Sequence, residues 1–514
     1  MGKKYDMTQI DSIYKYALQM KDKKISDIVK ESGEKDSTDK GEIGNLIQEC
    51  YFGIPRNSSS EPDFPEAPLE LKTFGYWDTE RADQRLALSA IDYMDYQNKV
   101  SFEESHLYKK CHNMLFVIYL LQTGQLRIES EIKYLRLYEF EKIVTSDMEQ
   151  IKRDYYTITK KIREGKASEL SEGDTEFLGA ARRGDKNSKK QDAPKGDKAL
   201  PRRFAFKQSY MSYLVREYIV PEKDFATTIH PKKNECRIKI PRGKSFEEWL
   251  KAIDEKWAGK TIRKIVASKS KKVNGLKTNG KDAFGRIGLS LLGIKSNADE
   301  YLMKTHTVVK SIRVNKNRQV KEKISFPTFE IADVINQEWE ESEIFRYLSE
   351  QRFLLQIFVE EENGYVYAGH LFLKFTPEQL DEWAKETWED LKNKLLSGIQ
   401  FTLEKRKKDV IIHSNIQGKI ENQMGLIKVH GQSTYDIDRK HIVGVDEASE
   451  QYIDANTVNG RFVQREEKKA AFGCELPNGD IIGKQSYWLN NDFILDYIKK
   501  HSDELEYNIA WEKK

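Results

Sequence analysis

Polar and apolar residues alternate from Ala67 to Phe74 (Ala-Pro-Leu-Glu-Leu-Lys-Thr-Phe), which predicts a strand. In a strand, residues two apart share a face. Glu70 and Lys72 therefore project together, while Leu69 and Leu71 point the other way, into a core. Helical spacing appears elsewhere. Lys40-Gly41-Glu42-Ile43-Gly44-Asn45-Leu46-Ile47 opens an amphipathic helix. Ser146-Asp147-Met148-Glu149 reads as a capping box for a helix that stops near Gly165. Thr376-Pro377-Glu378-Gln379 reads as another, with proline at the first helical position and a stop near Gly398.

The pattern recurs along the chain. Lys281-Asp282-Ala283-Phe284-Gly285-Arg286-Ile287-Gly288 echoes the segment at Lys40, and Leu292 to Ile294 echoes Phe52 to Ile54. Thr307-Val308-Val309-Lys310-Ser311 follows as Leu69-Glu70-Leu71-Lys72-Thr73 did, and the two capping boxes match in order. Lys207-Gln208-Ser209-Tyr210 is echoed by Lys484-Gln485-Ser486-Tyr487. The expected organisation is one α/β unit twice: residues 1–219, a proline-bearing linker 220–242, and a second copy at 243–514. The copies differ chemically. Val308 stands in place of Glu70, and Asp299 falls near the place of Asp63 but out of register, while Lys310 keeps the lysine. Valine cannot bind a hard cation, so the second copy is expected not to cut.

With 514 residues the chain is long enough for several domains. An apolar content of 38% and 11% aromatics suit a globular protein, and a net charge of only +3 requires any basic surface to be local. Basic residues do cluster: ten Lys/Arg against three Asp from Ala181 to Lys207, and nine with no acid from Lys256 to Lys281. Such runs suit contact with a polyanion such as DNA. Four widely spaced cysteines argue against a zinc site or a disulfide framework and fit a reducing, cytoplasmic setting. No apolar run of membrane-spanning length is present, so no membrane partner is expected.

Pro62-Asp63, six further residues, then Glu70-Leu71-Lys72 is the candidate chemistry. Two carboxylates and a lysine at this spacing can hold Mg²⁺ and an attacking water against a phosphodiester. Glu-x-Lys on a strand is also a common solvated face, and the neighbouring motifs decide between the readings. Lys40-Gly41-x-x-Gly44, Glu49, Asp63, Glu70-Leu71-Lys72-Thr73, Ser105-His106 with Lys110, and Leu200-Pro201-Arg202-x-Phe204-x-x-Lys207 agree in order and spacing. Together they resemble the mismatch-repair nuclease MutH and the type II restriction enzymes related to it that cut at GATC.

The resemblance spans most of residues 35–219 and implies a restriction-endonuclease α/β core, a mixed sheet flanked by helices. The tandem arrangement with a degenerate second copy looks like the restriction branch. By position, the family's catalytic set falls on Glu49, Asp63, Glu70, Lys72 and Lys110, with Asp63, Glu70 and Glu49 as ligands of Mg²⁺. Lys110 is expected to meet the phosphate, and His106 to be structural. Arg182, Arg183 and Lys186 are candidates for base or phosphate contact, and Lys207 for phosphate. The implied partner is double-stranded DNA, held at two sites at once by a protein monomeric when free and dimeric on DNA. Two other readings stay open: a nicking enzyme of mismatch repair, and a DNA-binding protein without hydrolysis.

Overall fold

A computed structural model describes residues 5–32, 42–56, 61–122, 124–184, 187–228, 238–241, 243–269, 276, 282–320, 322–376, 379–398 and 485–511, with short strands between 401 and 483. Lys40, Gly41, Lys186, Pro377, Glu378 and Lys484 lie outside the described residues. The chain is α/β and forms two compact units. Unit 1 comprises residues 1–238 with 297–308 and 350–352; unit 2 comprises 239–296, 309–349 and 353–514.

Unit 1 opens with helices α1 (Ile10–Ala17), α2 (Ile25–Ser32) and α3 (Glu42–Leu46), the last widening into a π-type turn at Ile47–Tyr51. Strand β1 (Glu70–Trp77) follows, then β2 (Leu86–Ile91), α4 (His106–Cys111), β3 (Asn113–Leu121), β4 (Glu131–Glu139) and α5 (Thr145–Arg163). The unit continues with β5 (Leu178–Arg182), the short pair β6 (Gln191–Asp192) and β7 (Lys198–Ala199), β8 (Arg202–Phe206) and α6 (Gln208–Leu214). A mixed sheet has the order β1-β3-β4, β1 running parallel to β3 and β3 antiparallel to β4. A second sheet has the order β2-β8-β5.

Period-2 alternation distributes the first sheet between two cores. Leu69, Leu71, Leu115 and Val117 face a cluster built by α1 to α3, including Ile13, Ile28 and Ile47. Phe74, Tyr76, Met114, Phe116 and Ile118 face the other cluster, which holds Leu88, Ile158 of α5 and Phe204. The Glu70 face of β1 is therefore interior, not solvated, and Glu70 is only 3% exposed.

Three local expectations are corrected. Helix α5 starts at Thr145 with Val144 as its N-cap, so Ser146 sits inside the first turn and no side-chain cap forms. The box at Thr376 does form: Thr376 Oγ1 accepts the Gln379 N–H at 3.2 Å and Gln379 Oε1 accepts the Thr376 N–H at 2.9 Å. Gln208 to Tyr210 begin helix α6, whereas Gln485 to Tyr487 lie in the strand Gln485–Leu489. That echo pairs unlike elements. Finally, the linker expected at 220–242 is partly core, because Phe225 is buried in the second cluster and its carbonyl accepts the Val144 N–H at 3.1 Å.

Unit 2 contains α7 (Phe246–Trp257), α8 (Ile262–Lys269) and α9 (Ala283–Leu291); α10 (Glu300–Lys304) belongs to unit 1. Then come β9 (Thr307–Val314), β10 (Ile324–Phe329), α11 (Ile331–Asn336), α12 (Glu343–Glu350), β11 (Arg352–Glu361), β12 (Gly364–Leu373) and α13 (Lys385–Ser397). One sheet has the order β9-β11-β12; another places the strand Gln485–Leu489 between β10 and the strand Gly425–Val429. These orders run as β1-β3-β4 and β2-β8-β5 do. Among the described residues no helix is long and apolar enough to cross a membrane.

Inside unit 1, residues 297–308 and 350–352 supply buried ionic groups. Lys304 Nζ meets Asp147 Oδ1 at 2.6 Å and lies 3.9 Å from the centre of the Tyr213 ring. Arg352 meets Glu176 at 3.0 Å, and Tyr301 Oη donates to the same carboxylate at 2.7 Å.

Candidate active site

The site forms where β1 begins. Phe64 and Leu69 pair across a tight reversal, the Phe64 N–H reaching the Leu69 carbonyl at 3.0 Å. This folds Asp63 back over the start of the strand. Its Oδ2 accepts the Leu71 N–H at 2.9 Å, and its own N–H donates to Glu70 Oε2 at 3.1 Å. Lys72, two residues along the same face, donates from Nζ to Glu70 Oε1 at 2.9 Å and to the Leu88 carbonyl of β2 at 3.3 Å.

Lys110 arrives by a different route. The Ser105 side chain caps α4, accepting the Tyr108 N–H at 3.1 Å, and α4 feeds directly into β3. Because β3 lies parallel to β1 with Met114 opposite Glu70, the last turn of α4 ends beside Glu70. Lys110 Nζ sits 3.6 Å from Glu70 Oε2 and donates to the Glu61 carbonyl at 2.8 Å. The Ser-His-x-x-x-Lys spacing is thus a capped helix that delivers its lysine, and His106 is that helix's first residue.

The structure therefore brings together Asp63, Glu70, Lys72 and Lys110. Glu49 is placed differently: its carboxylate is held by Arg56 Nε at 2.8 Å and by the Arg56 N–H at 3.3 Å. The preceding residue, Gln48, points to the site instead, its Nε2 donating to Asp63 Oδ1 at 3.3 Å. Helical spacing alone does not separate two adjacent residues on a π-type turn, and so does not single out Gln48.

Electrostatics follow from burial. Burial, and then the charge of Glu70, push the Asp63 carboxyl up to about 6. For Lys72, burial acts downward, but Glu70 and further negative neighbours outweigh it and hold the ammonium above its ordinary value. Burial pushes the adjacent Cys111 thiol up to about 12, which keeps it protonated and inert.

The DNA-reading candidates are less accessible than expected. Lys207 is 1% exposed and donates to the Thr175 carbonyl, because it caps α6 beneath the second sheet. Burial, with the Arg352 charge next, lowers its ammonium to about 8. Arg182 ends β5 and is 6% exposed. Neither is presented to a polyanion in this structure. Arg183 is exposed.

In β9, Lys310 Nζ reaches the Ser325 carbonyl of β10 at 3.4 Å, as Lys72 reaches the carbonyl of Leu88. Burial alone lowers its ammonium. Asp299 is the N-cap of α10, accepting the Tyr301 N–H at 3.0 Å.

The site is a buried acid–acid–lysine cluster at the start of a strand in a mixed α/β sheet, and two comparisons bear on the segment that carries it. Residues 52–154 match the family model of the DNA mismatch repair enzyme MutH, a span that includes Asp63, Glu70, Lys72 and Lys110. Over 496 residues the chain is 28% identical to the type II restriction enzyme Sau3AI of Staphylococcus aureus, covering 92% of this chain and 94% of that enzyme. The chain is thus similar to MutH over its first part and to a type II restriction enzyme along most of its length. A divalent metal is general in this family.

The donor set fits such an ion. Two hard carboxylates stand side by side, and lysines balance one of them. Among the described residues no three carboxylate, imidazole or thiolate groups gather closely enough to enclose a cation. A two-carboxylate site suits Mg²⁺, which keeps several waters and is commonly completed by substrate phosphate.

Proposed function

We propose that this protein is a Mg²⁺-dependent restriction endonuclease that cuts both strands of DNA at a short palindrome, GATC before the G, and that its second half binds a further copy of the site without cutting. The observation that carries the reading is the Asp63–Glu70–Lys72–Lys110 cluster, held by bonds of 2.9 to 3.6 Å. Asp63 and Glu70 would hold the ion. When bound, Mg²⁺ supplies positive charge to the scissile phosphate and lowers the pKa of a coordinated water.

The protein's own groups do the rest. Asp63 is oriented by the Leu71 N–H, so its carboxylate needs no reorganisation. Lys72, tethered to Glu70 and the Leu88 carbonyl, positions the attacking water. Its raised pKa keeps it protonated, so it acts as a donor and a fixed charge rather than as a base. Lys110 meets the phosphate and stabilises the charge that develops on its oxygens.

A binding role for the second half is supported by its matching sheet orders and by its half-buried Lys310, two residues along the strand from Val308. Digestion of a defined plasmid tests the proposal, with and without Mg²⁺ and with its adenines methylated or not. Mg²⁺-dependent linear fragments with one kind of end are expected. Nicked circles alone would favour the mismatch-repair reading. Retained but uncut DNA would favour a binding protein.

A further inference from the structure

The hydrogen bonds around Asp63 give a role to a residue outside the expected catalytic set. Each Asp63 carboxylate oxygen has a neutral donor: the Leu71 N–H at 2.9 Å for Oδ2, and Gln48 Nε2 at 3.3 Å for Oδ1. Glu70 is held by charge, with Lys72 at 2.9 Å and Lys110 at 3.6 Å. The cluster thus sets two carboxylates against two ammonium groups. The next acid along the turn, Glu49, is engaged by Arg56 at 2.8 Å.

We infer that Gln48 is a positioning residue that sets the cation affinity of the site. Its amide orients Asp63 without adding charge, so a divalent ion is captured tightly only together with the anionic DNA phosphate. Affinity for hard cations rises with the number of charged oxygen ligands. A cluster whose charges already balance offers a bare dication little net attraction, and the phosphate supplies the missing negative ligand. This inference rests on the reading of the cluster as the nuclease centre.

The test is calorimetric titration of Mn²⁺ into DNA-free protein, with cleavage followed against Mg²⁺ concentration. Gln48→Glu should bind Mn²⁺ at least tenfold more tightly than wild type. Glu49→Gln should titrate like wild type. Gln48→Met should raise the Mg²⁺ concentration for half-maximal cleavage several-fold, with a smaller loss of the saturated rate. An unchanged Mn²⁺ titration in folded Gln48→Glu would overturn the inference. So would an equal shift in Glu49→Gln, or a rate loss in Gln48→Met that is uniform across Mg²⁺ concentrations. Should Gln48→Glu fail to fold, the other two variants decide. Absence of cleavage by wild type would remove the nuclease reading, and the DNA-free titration would still decide the role of Gln48.

Discussion

Asp63→Asn is expected to make the metal-free protein more stable at pH 8 while abolishing cleavage. The carboxyl is pushed from 3.8 to about 6, first by burial and then by Glu70. A carboxyl whose folded pKa lies above its unfolded one stabilises the fold below the unfolded value, and that contribution is lost as pH rises through the folded value. The window is therefore roughly pH 4 to 6. A shift of about 2 units corresponds to a charge cost of about 3 kcal/mol above it. Asparagine keeps the volume and can still accept the Leu71 N–H. It loses one acceptor, facing Gln48, which costs about 1 kcal/mol and is eased if the Gln48 amide flips. The net gain at pH 8 is about 2 kcal/mol. That corresponds to a melting temperature higher by about 4 to 8 °C for a unit of this size. Thermal melts in EDTA at pH 4 and pH 8 measure it: the gain should appear at pH 8 and vanish or reverse at pH 4. Mg²⁺ added together with a DNA duplex should shift the melt of the wild type more than that of the variant. A variant no more stable than wild type at pH 8, or a difference independent of pH, would refute the reasoning.

Other consequences follow from the same geometry. Glu70→Ala should lose cleavage and keep DNA binding in a gel-shift assay; cleavage at the wild-type rate would rule out the enzyme reading. Lys72→Met leaves the buried Glu70 short of its closest cation, so cleavage should vanish and the unfolding free energy read by chemical denaturation should fall by about 3 kcal/mol. Lys304→Met strands the buried Asp147 carboxylate and should cost about 3 to 5 kcal/mol, read by chemical denaturation. If the second half holds a second site, a two-site plasmid should be cut faster than a one-site plasmid at the same enzyme concentration, and equal rates across concentrations would exclude it.

What was legible in the sequence is the part that spacing encodes. Alternation at Leu69 to Lys72 marks a strand and puts Glu70 and Lys72 on one face, and the structure keeps them bonded at 2.9 Å. Spacing also carries Ser105 to Lys110, because a capped helix delivers its last turn to a fixed place. Alternation fails to say what covers a face. A Glu-Lys face reads as solvated until Phe74 and Tyr76, on the same side of β1, are seen buried in a core. Lys207 and Arg182 fail for the same reason: a basic run looks like surface, yet β8, β5 and α6 bury these two beneath it. The echo at Lys207 failed because matching letters carry no period; Gln208 to Tyr210 begin a helix, whereas Gln485 to Tyr487 lie in a strand. The sharper comparison is between the two strand lysines. Lys72 and Lys310 both reach a backbone carbonyl on the next strand in the chain, which lies in another sheet, yet one ammonium is held up by Glu70 and the other is lowered by burial alone. On the proposed reading, Val308 in the place of Glu70 leaves that strand without a carboxylate for a cation, although its lysine still reaches the same kind of carbonyl.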